Sequence, residues 1–350
     1  MSALDAALQQ SDEVAADGDL AATPTAALPA VDPEDAGEPV SLPDGRTIYV
    51  PRLHGRRVDE LACALLDLNV PARSKFLRLT GPPGTGKSQL ARAIALALWR
   101  RRGLHVIERH GQPFYGFVEI SGGPSSDEYL FRHEFGPAAD RAGEIRLIDS
   151  AFVGALREGW TVMIDEPNAI RDVALLSLNS VFDGRLALYL PATAETVVAA
   201  PGFNALLAYN PGLVSGASSD LPDAWYSRFP ATLEVTSNWP ALVALGAPQQ
   251  LVAAAAELDR RRIAGDDGLA WTPQFREIEA LWQMAERVGE RAALALFASN
   301  LAERAQAGAV SEAEAAAACR MLDEAGYGRY RVGTGARIAS LHGYPRAVTG

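Results

Sequence analysis

One stretch limits this chain more than any other: Gly81-Pro82-Pro83-Gly84-Thr85-Gly86-Lys87-Ser88, which fits G-x-x-x-x-G-K-[ST]. Residues 76–80, just before it, form a short apolar run that reads as a buried strand. Residues 87–102, just after it, place Leu90, Ile94 and Leu98 on one helical face, and Gly103 follows as the stop. Strand, loop and helix in that order offer an anion backbone N–H groups and the positive end of a helix dipole. The glycines let successive N–H groups curl around phosphates. In such a loop Lys87 reaches the β- and γ-phosphates and the Ser88 hydroxyl is a ligand for Mg2+.

From residue 76 the chain alternates between strand-like and helical segments. Apolar runs at 76–80, 117–120, 161–164, 205–209 and 231–235 are separated by helical stretches at 87–102, 151–157 and 173–182. Strands buried on both faces that alternate with helices imply a parallel sheet with right-handed crossovers, hence an α/β fold. Residues 186–198, with Pro191 in the middle, read as an inserted β-hairpin. After Asn238 the pattern becomes wholly helical, with Ala-rich stretches around 241–263, 273–288, 291–306 and 311–325.

The expected organisation is therefore an acidic disordered segment at 1–40, an α/β domain at 41–238, a helical lid at 239–326 and a C-terminal tail at 327–350. Residues 1–40, rich in Ala, Asp, Glu and Pro, have too little apolar area to offset chain entropy. Order is expected from about Leu42, with a strand at 47–50 and a helix at 58–68. The tail is Gly-rich and carries Arg329, Arg331, Arg337 and Arg346 with no acid.

Charge is unevenly placed. Residues 1–44 hold ten acids and neither Lys nor Arg; taking ten from the 43 acids leaves 33 against 32 bases. The net charge of −11 thus belongs to the first segment. A near-neutral body argues against a general nucleic-acid binder. There is no basic and apolar leader and no apolar run long enough to span a bilayer, so a cytoplasmic protein is expected. Cys63 and Cys319 lie in Ala/Leu-rich helical surroundings and read as reduced, buried thiols. The five histidines show no metal-ligand spacing.

Three further elements carry chemistry. Val162-Met163-Ile164-Asp165-Glu166 is an apolar strand ending in two acids. Asp165 is placed to hold the Mg2+ shell, and Glu166 to orient and polarise an attacking water. The run 206–209 ends at Asn210, followed by Pro211-Gly212. Asn210 either sits beside the γ-phosphate and holds the water with Glu166, or simply forms a turn. Leu221-Pro222 leads into Asp223-Ala224-Trp225-Tyr226-Ser227-Arg228-Phe229 before the fifth strand, where Arg228 taken alone is an ordinary surface arginine.

Taken together these elements resemble the AAA+ superfamily, and more narrowly its MoxR-like, dynein-related branch that includes the CbbQ, NorQ and GvpN proteins. The resemblance spans about 55–325. It is most distinctive at 155–168, Ala-Leu-Arg-Glu-Gly-Trp-Thr-Val-Met-Ile-Asp-Glu-Pro-Asn, with Asp183-Gly184-Arg185, Ala208-Tyr209-Asn210-Pro211 and Ser227-Arg228-Phe229 in support.

It implies a P-loop AAA+ core whose five parallel strands are ordered 5-1-4-3-2, followed by an all-helical lid. It implies ATP hydrolysis with Mg2+, in a ring that is most often a hexamer. Residue by residue, Lys87 and Ser88 match the Walker A lysine and hydroxyl, and Asp165 and Glu166 match Walker B. Asn210 matches sensor 1, and Arg228 matches the arginine finger that acts on a neighbour's nucleotide. Where many members carry a lid arginine soon after Ser/Thr-Pro, this chain has Thr272-Pro273-Gln274, and Arg276 is the first arginine to follow. Residues 121–150 resemble the helix-2 insert, with Phe131, Phe135, Ile145 and Leu147 either facing a central pore or packing the hairpin on the sheet. Trp225 and Tyr226 read as interface packing beside Arg228 rather than as a substrate clamp.

The leading functional expectation is an ATPase that remodels, activates or assembles a protein partner, with the resemblance adding a von Willebrand factor A-domain protein as intermediary. The alternative is a nucleic-acid-associated AAA+ motor or nuclease-linked NTPase, kept open by the Arg- and Tyr-bearing tail. A small-molecule kinase would leave Asn210, Arg228 and the helical lid without a role.

Overall fold

The structure, a computed structural model, describes residues 28–66, 75–121, 133–137, 145–170, 172–210, 223–325 and 327. The acidic segment before residue 28, the tail after 327, Phe131, the side chain of Phe135, Pro211-Gly212 and Leu221-Pro222 lie outside the described residues. The chain forms two compact units, Ala26–Ala280 and a second from Leu281 onward.

The first unit begins with a hairpin of β1 (Glu38–Ser41) and β2 (Thr47–Val50), then α1 (Val58–Leu65). β3 (Phe76–Thr80) passes through the Gly-rich loop into α2 (Lys87–Arg101). A short hairpin follows, β4 (Ile107–Arg109) and β5 (Gln112–Phe114), leading into β6 (Phe117–Ser121). Next come the hairpin β7 (His133–Pro137) and β8 (Ile145–Asp149), α3 (Ala151–Glu158) and β9 (Thr161–Asp165). The helices α4 (Asp172–Ser177) and α5 (Asn179–Phe182) precede the hairpin β10 (Ala187–Leu190) and β11 (Glu195–Val198), as the sequence predicts for 186–198. The core then closes with β12 (Asn204–Tyr209), α6 (Asp223–Arg228) and β13 (Ala231–Glu234).

Five of these strands form one parallel sheet in the order β13-β3-β12-β9-β6, which in chain order is 5-1-4-3-2. The fold is that of an α/β AAA+ core with a helical C-terminal region, as expected. Alternation within the strands explains why both faces need cover. Phe76, Val162, Ile164, Ala205 and Leu207 join one core with Phe152 and Leu156 of α3, Phe182 of α5 and Trp225 of α6. Leu77, Leu79, Met163, Leu206 and Ala208 join the other with Ala62 of α1 and Leu90, Ile94 and Leu98 of α2. Each large side chain fully buried this way contributes roughly 1.5–3 kcal/mol.

An aromatic cluster holds α5 and α6 to the sheet. The Phe182 ring lies 5.0 Å from Phe76 and 5.2 Å from both Trp225 and Phe229. Trp225 stacks on Phe229 at 5.6 Å and is wholly buried. This corrects the expectation that Trp225 packs at an interface: one helical turn apart, Trp225 and Phe229 both face the sheet. Tyr226 is partly exposed, with the Arg78 guanidinium 4.8 Å from its ring centre and its hydroxyl 3.5 Å from that of Tyr209. In the β7–β8 hairpin, Ile145 is 73% exposed and so does not pack the hairpin on the sheet, whereas Leu147 is 36% exposed.

The expected disorder through residue 40 is also corrected for its described part. Asp32 caps a short 3-10 turn, Pro33–Ala36, by accepting from Glu34 N (2.9 Å). Asn238 Nδ2 donates to Ala36 O (2.8 Å) and Gln249 Nε2 to Val31 O (3.1 Å), while Ala36 and Val40 are buried. Composition missed this because the anchors are backbone carbonyls, bonded by side chains 202 and 218 positions later.

The helices begin with α7 (Trp239–Ala244), capped by Asn238, and α8 (Gln249–Ala264), which ends at left-handed Gly265. α9 (Phe275–Val288) follows, so the change of pattern at 239 is not where the compact units divide. The second unit holds α10 (Glu290–Gln306), which buries Ala293, Phe297 and Leu301, and α11 (Glu312–Glu324), started by a Ser311/Glu314 capping box. Cys63 is buried in the first unit's core, and burial pushes the Cys319 thiol up to about 11, which leaves it unreactive.

Deletion through Ser41 is expected to lower the thermal midpoint by roughly 5 °C or more relative to deletion through Ala27, because it removes the buried Ala36 and Val40 and both long-range hydrogen bonds. Equal midpoints for the two truncations would show that this docking contributes nothing.

Candidate functional site

The site is built where β3, β12 and β9 end. Ala208 of β12 lies opposite Leu79 of β3 on one side and Asp165 of β9 on the other. The residues just beyond, Gly81, Asn210 and Glu166, are thereby brought to one edge of the sheet.

The loop 81–86 needs glycine where the backbone turns left-handed. Gly81 has φ 151° and its hydrogen faces Val235 O so closely that a Cβ would collide with that carbonyl. Gly86, at φ 95°, is the N-cap of α2, and a Cβ there would meet nothing within 4 Å. No side chain caps α2 and no acid lies in its first turn. The first N–H groups of this helix are thus free of intrahelical partners and open to an anion. Thr85 Oγ1 donates to Pro82 O (3.0 Å) and stiffens the loop.

Lys87 is buried, and its Nζ donates to Gly81 O (2.9 Å) and Pro82 O (2.7 Å). Burial pushes it down to about 8; Asp165 and Glu166 oppose the shift and Arg276 adds to it. Ser88 Oγ lies 3.5 Å from Asp165 Oδ2. Burial raises Asp165, as do the carboxylates of Glu166 and Glu119, while Lys87 offsets part of the rise. Glu166 adopts a left-handed conformation, φ 48° and ψ 54°, and its N–H donates to Ala208 O (3.0 Å). Asn210 Nδ2 donates to Glu166 Oε1 (3.3 Å), and Asn210 Oδ1 is buried with no partner among the described residues.

These observations fit a polyphosphate and a divalent cation. The helix start is open to an anion, and Asp165, raised by burial and by the Glu166 and Glu119 carboxylates, lies beside the Ser88 hydroxyl. Among the described residues no three His, Cys, Asp or Glu side chains form a metal cage. That is the pattern in which a hydroxyl, a carboxylate and phosphate oxygens share Mg2+.

Arg276 comes to the same loop: its N–H donates to Gly84 O (3.1 Å) and its Cβ lies beside Gly84. Arg228 does not join this chain's site. Its Nη1 donates to Ala224 O (2.6 Å), and its charge helps hold Asp183 below its ordinary value, after the larger effect of Arg185. Sequence reasoning missed a buried polar cluster behind Arg276, formed by Ser237, Asp259, Thr272 and Gln274. Its signal was present: Thr272-Pro273-Gln274 opens a helix, where polar residues serve as caps.

The fold is that of an AAA+ α/β core, with a Gly-rich loop and two acids at the ends of its central strands. Residues 77–229 match the protein family described as AAA domain (dynein-related subfamily). The chain is 32% identical to an uncharacterized protein of Staphylococcus haemolyticus over 157 residues, 44% of this chain and 51% of the relative. It is also 32% identical to an uncharacterized protein of Staphylococcus epidermidis over 171 residues, 48% of this chain and 57% of the relative. A Staphylococcus aureus protein matches over 153 residues at 32%, 44% of this chain and 51% of the relative. The chain thus spans about half the length of the curated relatives it matches. No helix among the described residues is long and apolar enough to cross a membrane.

A folded-state value near 8 against an ordinary 10.5 means that the folded protein releases the Lys87 proton before the unfolded chain does. Stability then rises with pH between about 8 and 10.5. The midpoint difference between wild type and Lys87→Met is expected to shift in favour of wild type from pH 8 to pH 10 in matched thermal melts. A difference independent of pH over that window would contradict the buried ammonium.

Proposed function

We propose that this chain is an ATP-hydrolysing, MoxR-like AAA+ subunit that works in the cytoplasm as a ring, most simply a hexamer, and remodels, activates or assembles a protein partner. The observation that carries this reading is the meeting of Lys87, Ser88, Asp165, Glu166 and Asn210 at the strand ends while Arg228 faces elsewhere.

Each residue has a role in this reading. The loop N–H groups and Lys87 bind the phosphates. Mg2+ would be held through Ser88 and Asp165 and would neutralise charge on the phosphate oxygens. Glu166, braced by Asn210, orients the attacking water. Arg276 reaches the phosphates from the lid. Arg228 completes a neighbour's site, where such an arginine accelerates hydrolysis by roughly 10³–10⁵. The even charge of 45–350 supports a protein client over nucleic acid. The stretch 155–168 supports the MoxR-like branch, and with it a von Willebrand factor A-domain protein as the intermediary.

Lys87→Ala is expected to lose nucleotide binding, and Glu166→Gln to bind ATP but turn it over at least 100-fold more slowly. Titration of a fluorescent nucleotide beside a phosphate-release assay separates the two; wild-type turnover by Glu166→Gln would remove Glu166 from its role.

Arg228→Ala is expected to fold and bind ATP yet hydrolyse it poorly. Mixed with Lys87→Ala it should regain partial turnover, because some junctions then pair an intact Lys87 with an intact Arg228. Mixed oligomers without recovery would return Arg228 to an ordinary surface arginine.

A further inference from the structure

We infer that Gln274 is a positioning residue for the nucleotide site, acting through Arg276 by fixing the start of α9 against the phosphate loop. The inference rests on the nucleotide reading above.

A helix start carries N–H groups without intrahelical partners, and at α9 those groups are taken by distant parts of the fold. Phe275 N donates to Ser237 Oγ (3.1 Å), from the segment after β13. Arg276 N donates to Gly84 O (3.1 Å), within the phosphate loop itself. The backbone carbonyl of Gln274 accepts from Glu277 N and Ile278 N, and Glu277 Oε2 reaches back to Gln274 N (2.8 Å). The phosphate loop is therefore one of the caps of α9, and Arg276 sits at the turn where it acts.

What holds that turn is the side chain of Gln274, 2% exposed. Its Oε1 accepts from Ser237 Oγ (3.0 Å). Its Nε2 faces Thr272 O (3.0 Å), Thr272 Oγ1 (3.1 Å) and Asp259 Oδ1 (3.3 Å). Asp259, also buried, accepts from Trp239 Nε1 (3.3 Å) and pairs with Arg262 (2.7 Å). One amide thus ties α8 and the segment after β13 to the first turn of α9, and Asp259 brings in α7 through Trp239. An amide suits the place because it donates toward a carboxylate and a carbonyl while accepting from a hydroxyl; a carboxylate here would face Asp259 and Thr272 O with no proton to give.

The test is a double-mutant cycle between Gln274→Leu and Arg276→Ala, read by Mg-ADP affinity and by kcat and KM for ATP. Gln274→Leu is expected to weaken Mg-ADP binding about tenfold in the Arg276 protein and less than twofold in Arg276→Ala. Gln274→Glu should behave like Gln274→Leu, and adding Asp259→Asn should restore part of the affinity. Equal losses in both Arg276 backgrounds, or a lowered thermal midpoint with unchanged affinity, would overturn the inference and leave Gln274 a packing residue. If Gln274→Leu does not fold, Ser237→Ala enters the same cycle with the same criteria. Wild-type protein that fails to bind Mg-ADP would sink the nucleotide reading itself, an outcome distinct from additivity.

Discussion

Parallel register across β3, β12 and β9 is the constraint on which the site depends. Ala208 is paired with Leu79 on one side and Asp165 on the other, so the groups following all three strands fall on one line. The bond from Glu166 N to Ala208 O carries that ladder past the last strand residue and turns Glu166 into left-handed backbone. The register is well defended. A slip of one residue would move the side chains of one core, Phe76, Val162 and Ala205 among them, into the other, which is shaped by Leu90, Ile94 and Leu98. The placement of the chemistry is thus a consequence of burying two apolar faces.

With the strand ends fixed, the site accumulates unfavourable terms. Left-handed backbone at Glu166 costs about 1–3 kcal/mol. Lys87 is held in a buried position that lowers its proton affinity, and Asp165 is raised by burial and by its neighbours. Asn210 keeps an acceptor buried without a partner among the described residues. Opposite charges lie near one another, yet they do not cancel: Lys87 spends its hydrogen bonds on Gly81 O and Pro82 O. A polyphosphate carrying a divalent cation would relieve both sides at once, offering anionic oxygens to the ammonium and the helix start, and positive charge to the carboxylates. Costs of this kind concentrate where a ligand is meant to complete the structure.

The sheet and the phosphate loop were legible because their signals are local. Gly81–Ser88 sits between an apolar pentad and an amphipathic helix, and the residues singled out at 165, 166 and 210 lie at or just past the ends of two apolar strands. Trp225 was misread because an aromatic beside an arginine looks the same in sequence whether it faces a partner or its own core; only the i, i+4 match with Phe229 favoured the core. The docking of residues 31–36 was invisible because a carbonyl has no sequence identity, Asn238 marked only the point where the pattern turns helical, and Gln249 fell inside the expected helical stretch 241–263. Gln274 was noticed only for not being arginine. Its partners Asp259 and Ser237 lie far from it in the chain, and no spacing rule joins a helix-interior acid to a helix-start amide.

The relative strength of these contacts indicates where the lid start yields first. Between the phosphate loop and α9 the backbone link is a single neutral hydrogen bond, Arg276 N to Gly84 O, with a net worth of about 0.5–1.5 kcal/mol. Behind it, Gln274 is held by Ser237, Thr272 and Asp259, and Asp259 in turn by Trp239 and Arg262. Bonds to a charged group contribute about 1.5–3 kcal/mol each, and any buried group left unpartnered adds its own desolvation cost. A force arising at the phosphates would therefore part Gly84 from Arg276 before it disturbed the cluster. On that order of strengths, the first turn of α9 would stay with α7 and α8 if the loop moved. Reversing the order of strengths, with a weak cluster and a strong loop contact, would let the loop pull the helix start out of register. That is the failure against which a fully satisfied amide at position 274 protects.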